Sequence, residues 1–116
     1  MTEIKLPFPP AALSPNQRLH WARVAKAKKM YRYQCWAEAL AQKARVPMEG
    51  KLGVELTFYK PSKRAMDHDN LLARMKAGLD GVADALKIND RRFDPITIRV
   101  ADETGGYVKL FISWEP

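Results

Sequence analysis

The 116-residue chain predicts an α/β domain: a single mixed sheet of about four strands packed with two main helices, in the order β-α-β-α-β-β. Three observations predict it. Leu52 to Lys60 alternates apolar and polar residues, with Leu52, Val54, Leu56 and Phe58 on one face and Glu55, Thr57 and Tyr59 on the other. Arg23 to Ala44 is rich in helix formers and free of Gly and Pro. Asn70 to about Leu86 carries Leu71, Leu72, Met75, Leu79, Val82 and Leu86 at helical spacing.

Taken in order, Ile4 to Phe8 reads as a short strand ended by Pro7, Pro9 and Pro10, and a strand so bounded belongs at a sheet edge. Residues 13–16 are a turn or a helix start, with Ser14 as cap and Pro15 at the first helical position; residues 16–22 read equally well as an ordered loop. In the first helix Met30, Tyr33, Trp36, Ala37, Leu40 and Ala41 make an apolar face. Pro47 biases Val46 away from helical backbone and ends that helix, and Glu49 and Gly50 make a turn. After the central strand, Pro61 to Arg64 opens a basic loop that runs into Asp67 and the second helix. Gly78 and Gly81 each weaken that helix by about 1 kcal/mol relative to Ala, which points to close packing against them. Lys87 to Pro95 is a polar loop. Ile96 to Val100 and Tyr107 to Trp114 are strands, with residues 102–106 as a hairpin loop. No repeat, low-complexity segment or linker divides the chain, so residues 1–116 form one domain.

Composition narrows the function classes. No apolar run approaches the roughly 20 residues that cross a bilayer, so no membrane partner is expected. Residues 1–5 begin no signal peptide, and Cys35 is alone, so the expected location is cytoplasmic. The net charge is +7 and the isoelectric point about 9.7, as in nucleic-acid-binding domains. Residues 18–45 hold eight Lys/Arg (Arg18, Arg23, Lys26, Lys28, Lys29, Arg32, Lys43, Arg45) against one acid, Glu38, and carry the whole excess. Candidate DNA contacts are therefore Asn16, Arg18, His20, Arg23, Lys26, Lys28, Lys29 and Arg32, joined by Lys63 and Arg64 from the later loop. For His20, packing against Trp21 is the competing role.

Asp67 and Asp69, one residue apart where a basic loop bends into a helix, are candidate ligands for a hard cation. Magnesium takes oxygen donors and keeps several waters, so one to three carboxylates suffice. Asp90 supplies the third, provided the chain folds back after the second helix. The competing reading makes Asp69 or Asn70 a helix cap and Asp67 and Asp90 ordinary loop acids. At about 100° per residue, Asp69, Ala73, Lys76 and Asp80 share one edge of the helix, and Arg74 points elsewhere. Lys76 there either offsets phosphate charge or forms a solvated pair with Asp80. His68 is a poor magnesium ligand, two distant histidines and one cysteine make no zinc site, and Cys35 reads as core.

Residues 13–18 (Leu-Ser-Pro-Asn-Gln-Arg), His20 and Trp21, Asp67 to Asn70, Lys76 to Gly81, and Asn89 with Asp90 together resemble RusA, the phage-type Holliday junction resolvases, over nearly the whole chain. The resemblance implies a crossover junction endodeoxyribonuclease: a homodimer that binds four-way DNA junctions and makes paired, magnesium-dependent nicks in recombination and repair, with manganese as a substitute ion. It implies that Asp67, Asp69 and Asp90 are the catalytic, metal-holding aspartates and Lys76 the catalytic lysine. Two departures stand out. Ala73 occupies the family's lysine position, with Lys76 one helical turn later, and Asn89 occupies a position where a further acid is common. The apolar stripe of the second helix and Trp114 are candidate dimer surface. Two other readings remain at this point: a non-catalytic basic nucleic-acid-binding module, and a small protein whose basic helix binds an acidic partner.

Overall fold

The computed structural model describes residues 1–15 and 18–116. The expected element order is observed: β1 (Thr2–Pro7), α1 (Trp21–Ala41), β2 (Leu52–Tyr59), α2 (His68–Leu86), β3 (Phe93–Val100) and β4 (Tyr107–Ser113), with 3-10 turns at Ala11–Leu13 and Asp90–Arg92. The four strands form one mixed sheet in the order β1-β4-β2-β3. The alternation in β2 does what a period of two demands. Leu52, Val54, Leu56 and Phe58 are at most 2% exposed and share a core with Ile4, Leu6, Val108, Leu110 and Ile112. Both helices pack on that face through Tyr31, Cys35 and Ala39 of α1 and Leu71, Met75, Leu79 and Val82 of α2. Leu71, Met75, Leu79 and Val82 of the α2 stripe are thus spent on the core, whereas Leu72 is 38% exposed. No helix among the described residues is long and apolar enough to cross a membrane.

The expected hairpin between the last two strands is not formed, because β2 lies between them. A helical crossover returns the chain to the same end of the sheet, so β3 is laid parallel to β2, with Leu56 opposite Ile98. The other edge of β2 is left for β4, antiparallel, with Leu56 opposite Leu110. The connecting loop therefore crosses the end of β2. The amide of Ala101 donates to the Phe58 carbonyl (2.9 Å), that of Gly105 to Lys60 (2.9 Å) and that of Gly106 to Tyr59 (2.7 Å). Gly106 turns the chain there with φ 81°, where a side chain would be strained.

The buried face of α1 also differs from the expected one. Met30, Tyr33 and Leu40 are 53%, 65% and 47% exposed, whereas Tyr31, Cys35 and Ala39 are buried. Charged and apolar residues interleave around this helix, and the stripe that wins is the one that fits α2. The Tyr31 hydroxyl donates to the Pro7 carbonyl (2.7 Å) and contacts the Met75 sulfur (3.3 Å). Burial pushes the Cys35 thiol up to about 12, which makes it an inert core group and not a nucleophile. The helix starts at Trp21 rather than at Pro15, capped by His20, whose Nδ1 accepts from the Ala22 amide (3.2 Å).

Arg32 and Asp84 tie α1 to α2 through two hydrogen bonds of 2.6 and 2.9 Å. The hydrogen bond from Arg32 holds the Asp84 carboxyl below its ordinary range. Both side chains are about half exposed, so a double-mutant cycle of Arg32→Ala and Asp84→Ala is expected to give a coupling of only about 0.5–1 kcal/mol at neutral pH. A carboxyl lowered on folding adds stability above its unfolded pKa of about 3.9 and loses it as pH falls through the lower folded value. Urea titrations at decreasing pH should show the coupling constant until the ordinary Asp range and shrinking below it. A coupling that fades well above that range would mean the pair is not the source.

Candidate active site

Asp67 is the N-cap residue of α2, with extended backbone (φ −71°, ψ 141°), and its carboxylate makes no capping hydrogen bond. The capping role is carried by its backbone, whose carbonyl accepts from the Leu71 amide (3.1 Å). Arg74, buried two turns into the helix, contacts the sulfur of Met66 beside Asp67 and donates to the Pro9 carbonyl (2.6 Å). It pins the entry to α2 from behind, in keeping with its place off the polar edge. Asp69 lies in the first turn, where the helix dipole favours a negative charge.

The demanding step is the return of Asp90. α2 ends at Leu86, and Lys87 adopts left-handed backbone (φ 58°, ψ 44°) that reverses the chain, secured by the Ile88 amide donating to Ala83 (3.1 Å). Asn89 then caps the short turn, its side chain accepting from the Arg91 amide (2.9 Å). Asn89 is therefore a structural cap in the position where the resemblance leads one to look for an acid. The reversal places Asp90 against Lys76, whose ammonium donates to Asp90 Oδ2 (2.7 Å) and to Asp80 Oδ1 (3.0 Å). The hydrogen bond to Asp90, then that to Asp80, raises Lys76 above its ordinary value, and Lys76 in turn lowers Asp90.

Two grooves flank this edge of α2. One, of about 510 Å³ towards β3, is lined by Asp69, Leu72, Ala73, Lys76, Leu79, Asp90, Phe93 and Ile96. The other, of about 540 Å³ towards α1, is lined by Leu13, Lys28, Lys29, Arg32, Ala73, Lys76, Ala77 and Asp80. Ala73 and Lys76 form the ridge between them. The small side chain at position 73 leaves the space between Asp69 and Lys76 open.

Asp69, Lys76 and Asp90 are thus brought together; Asp67 is not among the residues lining their groove. Among the described residues no group of three or more acid, His or Cys side chains converges as a ready-made metal site. Asp69 and Asp90 line one groove and offer hard carboxylate oxygens, the donor type that magnesium takes when one or two carboxylates, waters and substrate phosphate hold it. Of the basic residues, Lys28 and Lys29 face the second groove and Arg32 is already paired with Asp84. Arg18, Arg23 and Lys26 are exposed on and before α1, and Lys63 and Arg64 are exposed in the loop before α2. His20 is exposed beside the Trp21 ring (5.5 Å between centroids). Asn16 lies outside the described residues. Sequence reasoning missed the apolar wall of Leu72, Phe93 and Ile96 and treated Asp80 as only a helical neighbour of Lys76. The polar edge on which Asp80 lies was the available signal for it; nothing in the sequence places β3 beside α2.

The chain is 46% identical over 98 residues to an uncharacterized protein of Xylella fastidiosa (strain Temecula1), with 80% of this chain and 63% of that protein covered. The chain therefore spans less than two thirds of that relative's length. No protein-family model matches it.

Proposed function

We propose that this chain is a magnesium-dependent, structure-selective endodeoxyribonuclease that resolves four-way DNA junctions by paired phosphodiester hydrolysis, acting as a cytoplasmic homodimer in recombination and repair. The observation that carries the reading is the meeting of Asp69, Lys76 and Asp90 in one groove, from positions up to 21 residues apart, beside a second groove edged by Lys28 and Lys29. Asp69 and Asp90 would hold the ion, with Asp67 close by at the head of α2. Bound there, magnesium or manganese would orient a water for in-line attack and offset charge on the leaving oxygen. Lys76 pairs with both Asp90 and Asp80 in the free protein and would donate to a phosphate oxygen once substrate arrives. Lys28 and Lys29 offset the repulsion between the acidic groove and the DNA backbone, and Arg18, Arg23, Lys26, Lys63 and Arg64 extend that field. A two-fold dimer would present one site to each of two strands of a junction that is itself nearly two-fold.

The test is nicking of a synthetic four-way junction with magnesium and with manganese, against linear duplex of the same arm length. Metal-dependent nicks in the junction and little cutting of the duplex are expected. Tight binding without nicking in either metal would leave a non-catalytic binding module. Replacing Lys28 and Lys29 together by Ala should lower the slope of log affinity against log salt by about 2, if each meets one phosphate; an unchanged slope would move the DNA path elsewhere.

A further inference from the structure

The groove between α2 and β3 has more apolar lining than hydrolysis of a phosphate needs. Leu71, Met75, Leu79 and Val82 of α2 are at most 3% exposed, yet Leu72 is 38% exposed; Ile96, on edge strand β3, is 40% exposed. Both stand at the groove that also holds Asp69 and Asp90, over a floor that includes Phe93. A phosphate with its cation is served by the carboxylates and gains nothing from an aliphatic wall, against which it would lose hydration. A nucleobase is the neutral, largely apolar part of the same substrate. In paired duplex the base faces are hidden in the stack, so only phosphates, sugars and base edges are offered. Across the Ala73–Lys76 ridge the neighbouring groove is edged by Lys28 and Lys29, which complement the flanking backbone phosphates, so the β3 groove is left to the scissile phosphate with its cation and, against the aliphatic wall, to the base beside it.

We propose that Leu72, Phe93 and Ile96 form a pocket for one unstacked nucleobase, so that branched DNA offering an unpaired nucleotide at the branch is preferred to linear duplex. The proposal rests on the nuclease reading of the same site and specifies its substrate. Taking a base out of the stack costs least where it is already unpaired, which turns an apolar wall into a selector for branch points.

The experiment uses a forked DNA with 2-aminopurine as the unpaired nucleotide at the branch, a fully paired four-way junction and a linear duplex, with binding read by anisotropy in EDTA. The wild-type protein should bind the fork about tenfold more tightly than the duplex, the scale of burying one large apolar contact, and should change the 2-aminopurine fluorescence. Leu72→Ser and Ile96→Ser, both at partly exposed positions, should erase the preference and the fluorescence change, whereas Lys28→Ala should weaken all three DNAs alike. Circular dichroism checks that the variants fold, and the wild-type comparison stands without them. Equal affinity of the wild type for fork and duplex, or a preference that survives both substitutions, overturns the pocket. A change in mass by light scattering with the preference intact would make the wall a subunit contact and overturns it too. Because binding is read without metal, the two readings separate. Magnesium-dependent nicking without preference for the unpaired branch refutes the pocket alone, and preference without nicking refutes the nuclease alone.

Discussion

Gly81→Ala is expected to destabilise the protein by about 2 kcal/mol, although alanine is the better helix former by about 1 kcal/mol. A Cβ at Gly81 would overlap the Arg32 carbonyl oxygen of α1 and lie 3.0 Å from the Arg32 carbonyl carbon and 3.1 Å from the Trp36 amide nitrogen. All three are backbone atoms, so relief requires the two helices to part, and with them the Arg32–Asp84 clamp and the ridge that carries Lys76. Gly78 makes the internal comparison. A Cβ there would meet Tyr31, Cys35 and Met75 side-chain atoms at 2.6 to 3.1 Å, and side chains can turn aside. Gly78→Ala should therefore cost less than Gly81→Ala. Urea denaturation of the two variants beside the wild type checks both the sign and the order. A Gly81→Ala protein as stable as wild type would mean that the helices are not in contact at that point.

The same glycines show where sequence was a sufficient guide. Two residues of poor helix propensity inside a strong helical stripe had a single physical explanation, close approach, and the structure supplies it. The β2 strand was legible for a similar reason: a period of two admits one buried face. α1 was not, since its apolar residues are scattered among lysines and arginines and offer more than one stripe. The choice between them rests on what α2 presents, which no local pattern contains. The pairing of the last two strands failed on the same ground. Residues 101–106 look like a hairpin loop, but they carry the chain across the end of β2 to its other edge, so β4 pairs with β2 and not with β3. For the site, helix phase placed Asp69, Ala73, Lys76 and Asp80 on one edge, because those residues share a rigid element. The return of Asp90 was only a requirement until Lys87 and Asn89 were seen to make the reversal. The wall of Leu72, Phe93 and Ile96 joins a helix to an edge strand, and its members are neighbours only in space.

Asp69→Asn and Asp90→Asn are each expected to lower metal-dependent nicking by about 10²–10³-fold while leaving junction binding in place. Losing an oxygen ligand to the ion forfeits several kcal/mol of charge stabilisation in the transition state, and about 1.4 kcal/mol is tenfold in rate. Binding should hold or tighten, because each substitution removes a negative charge facing a polyanion. Asp90→Asn carries a second consequence: it takes the charge from the shorter of the two contacts that hold Lys76, which is left with Asp80 as its ion-pair partner. Asp67→Asn separates two sources of expectation. The resemblance to RusA makes the three aspartates equivalent, whereas the geometry keeps Asp67 out of the groove that Asp69 and Asp90 share. On the geometry, Asp67→Asn should cost clearly less than the other two. Single-turnover nicking of a labelled junction by the three variants, with anisotropy for binding, decides it. Three equal losses would mean that α2 and the preceding loop close on the ion together when metal and DNA bind. No loss at Asp69 or Asp90 would remove the carboxylates from the chemistry and leave Lys76, Asp80 and Asp90 as a surface ion-pair array that holds the turn after α2 in place.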